Sequence, residues 1–156
     1  MASWQHTAKA NRKQYAKLLD RLNHTRHPET LLPPLHHDAF SKIDCLECAG
    51  CCKTISPRFK KSDISRIAKH LRLKEAEMIN TYLRIDEDGD HVVKKSPCPF
   101  LGDGNRCSIY EARPRDCRGY PYTDRAEFFQ HYNSTLLNSA ICPAVAHVLE
   151  KLNAIK

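Results

Sequence analysis

Eight cysteines are the residues of this 156-residue chain whose type and spacing could do chemistry. They stand at Cys45, Cys48, Cys51, Cys52, Cys98, Cys107, Cys117 and Cys142, and the first four form a C-x2-C-x2-C-C run. Thiolate sulfur is a soft ligand for zinc, copper and iron, and gaps of two residues let one loop direct several sulfurs at one centre. The pattern therefore predicts bound metal.

A disulfide framework is the alternative for a chain this rich in cysteine. A disulfide framework suits an oxidising compartment, which a chain reaches through a signal peptide. The N-terminal residues carry lysine, arginine and amides where a signal peptide needs an apolar segment. We therefore expect a cytoplasmic protein with no membrane association. In the cytoplasm thiols stay reduced, so dense cysteine usage favours metal binding or catalysis over disulfides.

The charge balance is basic, with 25 Lys and Arg against 18 Asp and Glu and a formal net charge of +7. Metal-bound thiolates are negative, so part of this excess balances the metal sites. The basic residues are scattered along the chain, apart from the short run 58–61. A nucleic-acid-binding surface requires a concentrated basic patch, so we do not expect nucleic acid to be the partner.

Hydrophobic periodicity predicts the elements that must position the cysteines. The stripe in residues 1–25 is typical of a helix, and Pro28, Pro33 and Pro34 indicate a linker or irregular crossing over 26–40. Further predicted helices and a hairpin around an Asp-Gly turn follow. The helices are expected at 61–71, 74–83, 124–137 and 143–152, the hairpin at 83–93, and irregular structure at 96–121.

Together these elements predict a mainly α fold with a small β-hairpin, in one metal-stapled domain rich in irregular loops. Within it we distinguish 1–40, the N-terminal helix and linker, from 41–156, the cysteine-cluster metal-binding domain. In the helix at 124–137 we expect Phe128, Phe129, Tyr132 and Leu136 to point inward. Cys142 precedes Pro143, so it should stand at a helix N-terminus, where free N–H groups stabilise a thiolate.

Four segments together resemble the YkgJ-like cysteine-cluster family of zinc- or iron-chelating domains. They are Cys45-Leu-Glu-Cys-Ala-Gly-Cys-Cys, Pro97-Cys-Pro-Phe-Leu, Cys107-Ser-Ile-Tyr-Glu-Ala-Arg-Pro-Arg-Asp-Cys-Arg-Gly-Tyr-Pro and Cys142-Pro. The resemblance spans about residues 45–150. It implies a small bacterial metal-binding protein, with all eight cysteines as ligands and Arg113-Pro114 as part of the signature. It departs at Tyr122, where relatives often carry histidine.

The spacing favours iron–sulfur over zinc. Three cysteines at two-residue intervals with a remote Cys-Pro resemble the ligand spacing of bacterial ferredoxins. Structural zinc prefers two separated pairs of ligands. Cys52 does not fit one ferredoxin-type centre, because an adjacent cysteine cannot easily reach the same metal. We therefore predict iron–sulfur clusters or iron, with zinc as the alternative.

No pattern in the chain identifies a catalytic residue, since there is no catalytic triad, phosphate loop or dinucleotide fingerprint. Arg113 is predicted to contact the cofactor from outside the ligand set, because Pro114 fixes its backbone. The predicted function is an electron carrier, or the redox component of a modifying enzyme, with a protein partner that is either a redox partner or the modified protein. The alternative is a structural zinc module that mediates protein–protein contact.

Overall fold

The computed structural model describes residues 3–155, and it confirms the mainly α fold with one small hairpin. The helices are α1 Ser3–Ala10, α2 Arg12–Asn23, α3 Leu32–Phe40, α4 Cys45–Cys48, α5 Gly50–Thr54, α6 Lys61–Leu71, α7 Glu75–Tyr82, α8 Arg115–Gly119, α9 Glu127–Gln130, α10 Tyr132–Asn138 and α11 Pro143–Ala154. The strands are β1 Leu83–Ile85 and β2 His91–Val93, and 3-10 turns occur at Pro28–Leu31, Asp103–Asn105 and Tyr110–Ala112. Over residues 3–155, no helix is both long enough and apolar enough to cross a membrane.

The chain packs as two compact units. One, the helical unit, runs to Asp44 and resumes at Pro121, and the other, the cysteine unit, is Cys45–Tyr120. The predicted division into 1–40 and 41–156 stays a prediction, and residues 1, 2 and 156, which it includes, lie outside the described residues.

The core of the helical unit forms where α11 packs against α1, α2, α3 and α10. Helix α11 begins as predicted at Pro143, whose missing N–H has no intrahelical partner in the first turn. Its apolar stripe is buried against Tyr15 and Leu19 of α2 and Phe128 of α9. The buried residues of the α11 stripe are Val145, Val148, Leu149 and Leu152.

The first forty residues differ from the prediction in two places. The N-terminal stripe is split between two helices, because Asn11 leaves the helical conformation at φ −88° and ψ 5° and begins α2. The irregular linker predicted over 26–40 is wrong for its second half, which is α3. Pro33 and Pro34 lie in the first turn of that helix, where the N–H groups that proline lacks are not needed.

The helix predicted over 124–137 is also divided, into α9 and α10. The break is at His131, with φ −100° and ψ 46°. Phe128, Phe129 and Leu136 are buried as predicted, whereas Tyr132 is 37% exposed. The inward orientation predicted for Tyr132 is wrong because the break changes the helical register immediately before it.

In the cysteine unit, α6, α7 and the hairpin form at the predicted positions. The strands pair antiparallel, with Leu83 opposite Val93, and Gly89 supplies the positive φ of +82° that the connecting turn requires. The small core of this unit includes Ile64 and Ile67 of α6 with Met78 of α7.

Asp38 of the helical unit gives a pH-dependent prediction. Its carboxylate accepts from Lys42 Nζ at 2.5 Å and lies 2.6 Å from His147 Nε2. These two contacts, Lys42 first, lower the pKa of Asp38 from 3.8 to about 2. A carboxyl group whose pKa is lower in the folded state stabilises the protein at pH values above its unfolded-state pKa. This stabilisation is lost as the pH falls through the folded-state pKa.

We therefore expect Asp38→Asn to lower the denaturant midpoint at neutral pH and to lower it less and less between pH 3.8 and about 2. Urea titrations of both proteins across this pH range measure the difference. Asp88→Asn, in the exposed hairpin turn, is the control. A midpoint difference that grows as the pH falls would contradict the assignment.

Candidate metal centre

The C-x2-C-x2-C-C run folds into two short helices, α4 with Cys45 and Cys48 and α5 with Cys51 and Cys52. Ala49 lies between them in the left-handed conformation, at φ +46°. Such a φ is rare for a residue with a Cβ, and here it separates α4 from α5, so that the two cysteine pairs stand on different helices. The Gly50 N–H then points at Cys48 Sγ, 3.4 Å away.

Hydrogen bonds join the segment around Cys98 to this run. The Cys98 N–H donates to the Cys52 carbonyl at 2.8 Å, and Ser96 Oγ donates to the Lys53 carbonyl at 2.7 Å. Cys107 forms an isolated antiparallel bridge with Leu101. Segments about 45 residues apart in sequence are thereby fixed side by side, with their thiols in one region of the cysteine unit.

The last cysteine of this unit, Cys117, lies on α8, and a buried carboxylate positions the start of that helix. Asp63 of α6, 2% exposed, accepts from the Arg115 N–H at 3.2 Å and from Arg66 Nη2 at 2.6 Å. The sequence showed Asp63 only as part of a helix start. Its contact with Arg115 spans 52 residues, which no local pattern reveals.

Four thiols of the cysteine unit are close enough to influence one another electrostatically, namely Cys52, Cys98, Cys107 and Cys117. We call them the four-thiol group. Burial raises the pKa of the Cys117 thiol to about 12, with smaller contributions from the charges of the other three. Burial likewise raises the pKa values of Cys98 and Cys107, and the charge of Cys52 adds to both.

Cys52 has the opposite shift. A contact with the Cys51 thiol, 4.0 Å between the sulfurs, is the main cause that lowers its pKa, to about 7, and the charges of Arg113 and Lys53 lower it further. The group thus contains one thiol that ionises near neutral pH beside three that burial keeps protonated. A metal cation reverses this preference, because it binds thiolates and releases their protons.

The four remaining candidate ligands are outside the four-thiol group. Cys45, Cys48 and Cys51 are on α4 and α5, in the same run as Cys52. Cys142 belongs to the helical unit, where it stands as predicted at the N-cap of α11. All eight are thiols in this structure. Between residues 3 and 155 no three cysteine, histidine or carboxylate side chains lie at the distances of a closed metal site. The eight-ligand set therefore stays a prediction.

The comparison with family models identifies what these cysteines belong to. The model described as "Putative zinc- or iron-chelating domain", with the pattern CxxCxxCC, matches residues 44–142. The chain belongs to this family. Membership establishes a metal-binding protein whose cofactor is zinc or iron, and it confirms the resemblance seen in the sequence.

A curated relative of this zinc- or iron-chelating domain comes from an archaeon. Uncharacterized protein MJ0661 of Methanocaldococcus jannaschii is 32% identical over 82 residues, which are 51% of this chain and 44% of the relative. The chain thus spans less than half the length of that relative. No solved structure matches the chain.

The donors of the four-thiol group fit the family's metals. All four are sulfur, the ligand type that selects zinc and iron–sulfur centres over magnesium or calcium. They come from α5, from α8 and from the segment between β2 and α8, so bound metal would join segments that share little regular structure. Four thiolates suffice for a tetrahedral ion or for one cluster.

Arg113 lies beside the four-thiol group. Its positive charge lowers the pKa values of Cys52, Cys107 and Cys117, whereas burial raises them. Its Nε donates to the Tyr110 carbonyl at 2.8 Å, and its guanidinium covers the Tyr110 ring at 3.5 Å from the centroid. Arg66 Nη2 and Arg118 Nε both donate to its carbonyl. These contacts hold a cation near the thiols, and a direct role with the cofactor stays a prediction.

Sequence reasoning missed several residues that shape the site. Asn105 Nδ2 donates to the Leu46 carbonyl at 2.6 Å and so joins α4 to the turn before Cys107. Lys53 Nζ donates to the Cys48 carbonyl at 3.0 Å. Turn-forming character at Asn105 was visible in the sequence, but its partner 59 residues away was not.

Proposed function

We propose that this protein is an iron–sulfur protein that transfers electrons, either as a carrier or as the redox component of a modifying enzyme. The observation that carries the proposal is the four-thiol group with the guanidinium of Arg113 beside it. An all-thiolate donor set is the ligand environment of iron–sulfur clusters, and a nearby cation tunes their potential. The cluster supplies one-electron chemistry when bound.

The division of the cysteines supports the proposal. Cys52 belongs to the four-thiol group, which leaves Cys45, Cys48 and Cys51 in the ferredoxin-type spacing for a second centre. This assigns the adjacent Cys51 and Cys52 to different centres, which removes the difficulty that two neighbouring residues cannot easily reach one metal. The partner of such a protein is another protein that donates or accepts electrons.

A structural zinc module is the second candidate, and one observation favours it. The four-thiol group has the composition of a closed zinc site made of four cysteines, and the core cluster described for the cysteine unit is small, with ten buried hydrophobic residues. Zinc would then contribute folding free energy to the cysteine unit, and the protein would present a surface to a partner.

Metal and sulfide analysis of protein purified without oxygen decides between the two. An iron–sulfur protein contains iron with acid-labile sulfide and has a brown chromophore that dithionite bleaches. A zinc module is colourless, contains zinc without sulfide and shows no redox titration. Zinc as the native metal would overturn the electron-transfer proposal.

Arg113→Gln tests whether the guanidinium acts on the centre. A positive charge favours the more negative, reduced state, so its removal should lower the midpoint potential by on the order of tens of millivolts. Potentiometric titration measures the change. Arg113→Lys, which keeps the charge, should recover most of it, and Arg84→Gln, at an exposed arginine of β1, is the control. Equal potentials in all four proteins would contradict the role of Arg113.

A further inference from the structure

The helical unit contains a pocket that the metal chemistry does not use. Helices α1, α2 and α11 border an open pocket of about 390 Å³, near the lower end of the roughly 300–1,000 Å³ typical of ligand sites. Ile43 and Pro143 provide part of an apolar wall. The size and lining suit a small organic ligand.

Two aromatic side chains and a carboxylate distinguish this pocket from a simple apolar cavity. Trp4 of α1 and Tyr15 of α2 line it, and Glu150 of α11 lines it as well. Burial raises the pKa of Tyr15, and the Glu150 charge adds to the shift, which places that carboxylate close to the phenol. No hydrogen bond or ion pair of Glu150 occurs among the contacts of residues 3–155.

The other ionisable group in the lining is already paired. His147 Nε2 lies 2.6 Å from Asp38 Oδ2, and Asp38 also binds Lys42. With His147 counted as neutral, the negative charge of Asp38 balances the positive charge of Lys42, and the three groups add no net charge. Glu150 is the one carboxylate in the described lining of the pocket, at its exposed edge, and it favours a cation.

We propose that this pocket binds a small organic ammonium ion, with the Trp4 and Tyr15 rings on its alkyl groups and Glu150 compensating its charge. Aromatic faces attract ammonium ions, quaternary ones included, through the ring quadrupole. A neighbouring carboxylate adds a Coulomb attraction that falls with salt. The proposal does not depend on the electron-transfer proposal.

The chain offers a direct probe, because Trp4 is its one tryptophan. Choline is titrated into the holo-protein, with tryptophan fluorescence and calorimetry as readouts, and 3,3-dimethylbutan-1-ol, its neutral isostere, is titrated in parallel. We expect choline to bind at least about tenfold more tightly than the isostere, since tenfold corresponds to a cation–π and charge contribution of about 1.4 kcal/mol. Tetramethylammonium should compete with choline.

Two variants locate the interaction. Glu150→Gln keeps the shape of the side chain and should weaken choline binding about fivefold to tenfold, with little effect on the isostere. Glu77→Gln, an exposed acid of the cysteine unit, should leave both affinities unchanged. Equal affinities for choline and its isostere, no saturable binding, or an unchanged choline affinity in Glu150→Gln would each overturn the proposal.

Discussion

Replacing Cys117 with serine is expected to remove the metal centre of the four-thiol group. Cys117 is the group's thiol with the largest rise in pKa from burial, and serine there would replace a soft thiolate with a poor, hard ligand. Changes to groups that only orient a ligand typically cost about 10–100-fold in metal affinity. Loss of the ligand itself should therefore exceed about a hundredfold.

The same substitution should destabilise the cysteine unit. A structural zinc site supplies about 10–16 kcal/mol of apparent binding free energy to folding, and an all-thiolate iron centre is expected to act in the same sense. The segment between β2 and α8 has only 3-10 turns and an isolated bridge among its described elements. We expect this segment to lose protection first, so that its amides exchange rapidly in Cys117→Ser.

Metal analysis, thermal unfolding and hydrogen exchange of Cys117→Ser measure these effects. Arg115→Gln is the matched control, because Arg115 lies on the same helix with an exposed side chain and no thiol. The control should keep its metal and the protection of the loop. A Cys117→Ser protein with unchanged metal content and unchanged exchange would exclude Cys117 as a ligand.

The sequence predicted the elements that carry regular periodicity and missed those that long-range contacts define. Helices α6, α7 and α11 and the hairpin were predicted because their apolar residues recur at the helical or strand period. The breaks at Asn11 and His131 were not predicted, since neither residue is a strong helix breaker. Prolines were read as breakers in α3, where their first-turn position makes them compatible with a helix.

For the candidate site, too, the sequence predicted the local features and missed the long-range contacts. Spacing alone predicted the chemistry of the cysteines, because ligand type and local gaps are properties of the sequence. Which thiols lie together was not predictable, since Cys52 meets Cys98 through a backbone hydrogen bond across 46 residues. The arrangement of Arg113 over Tyr110 was also hidden, although Pro114 indicated that its backbone is fixed.

A substitution of Asp63 is the second change for which we expect a large effect. Asp63 connects α6 to α8, the helix that carries Cys117. Its Oδ1 accepts from Arg66 and from the Arg115 N–H, and its Oδ2 accepts from the Lys60 N–H at 3.1 Å. The carboxylate therefore caps the start of α6 and fixes the start of α8, two residues before Cys117. No other side chain in these described contacts shares both tasks.

Asp63→Ala should lower the free energy of unfolding by about 3 kcal/mol. Removing one partner of a buried ion pair costs about 3–5 kcal/mol, and the lower figure applies because Arg66 is 36% exposed and stays partly hydrated. Denaturant unfolding of the metal-loaded protein measures the loss, with Glu77→Ala on the exposed face of α7 as the control. Because α8 would no longer be fixed at Arg115, metal affinity should also fall, by about tenfold. A loss of stability with unchanged metal affinity would show that Asp63 stabilises α6 without positioning Cys117.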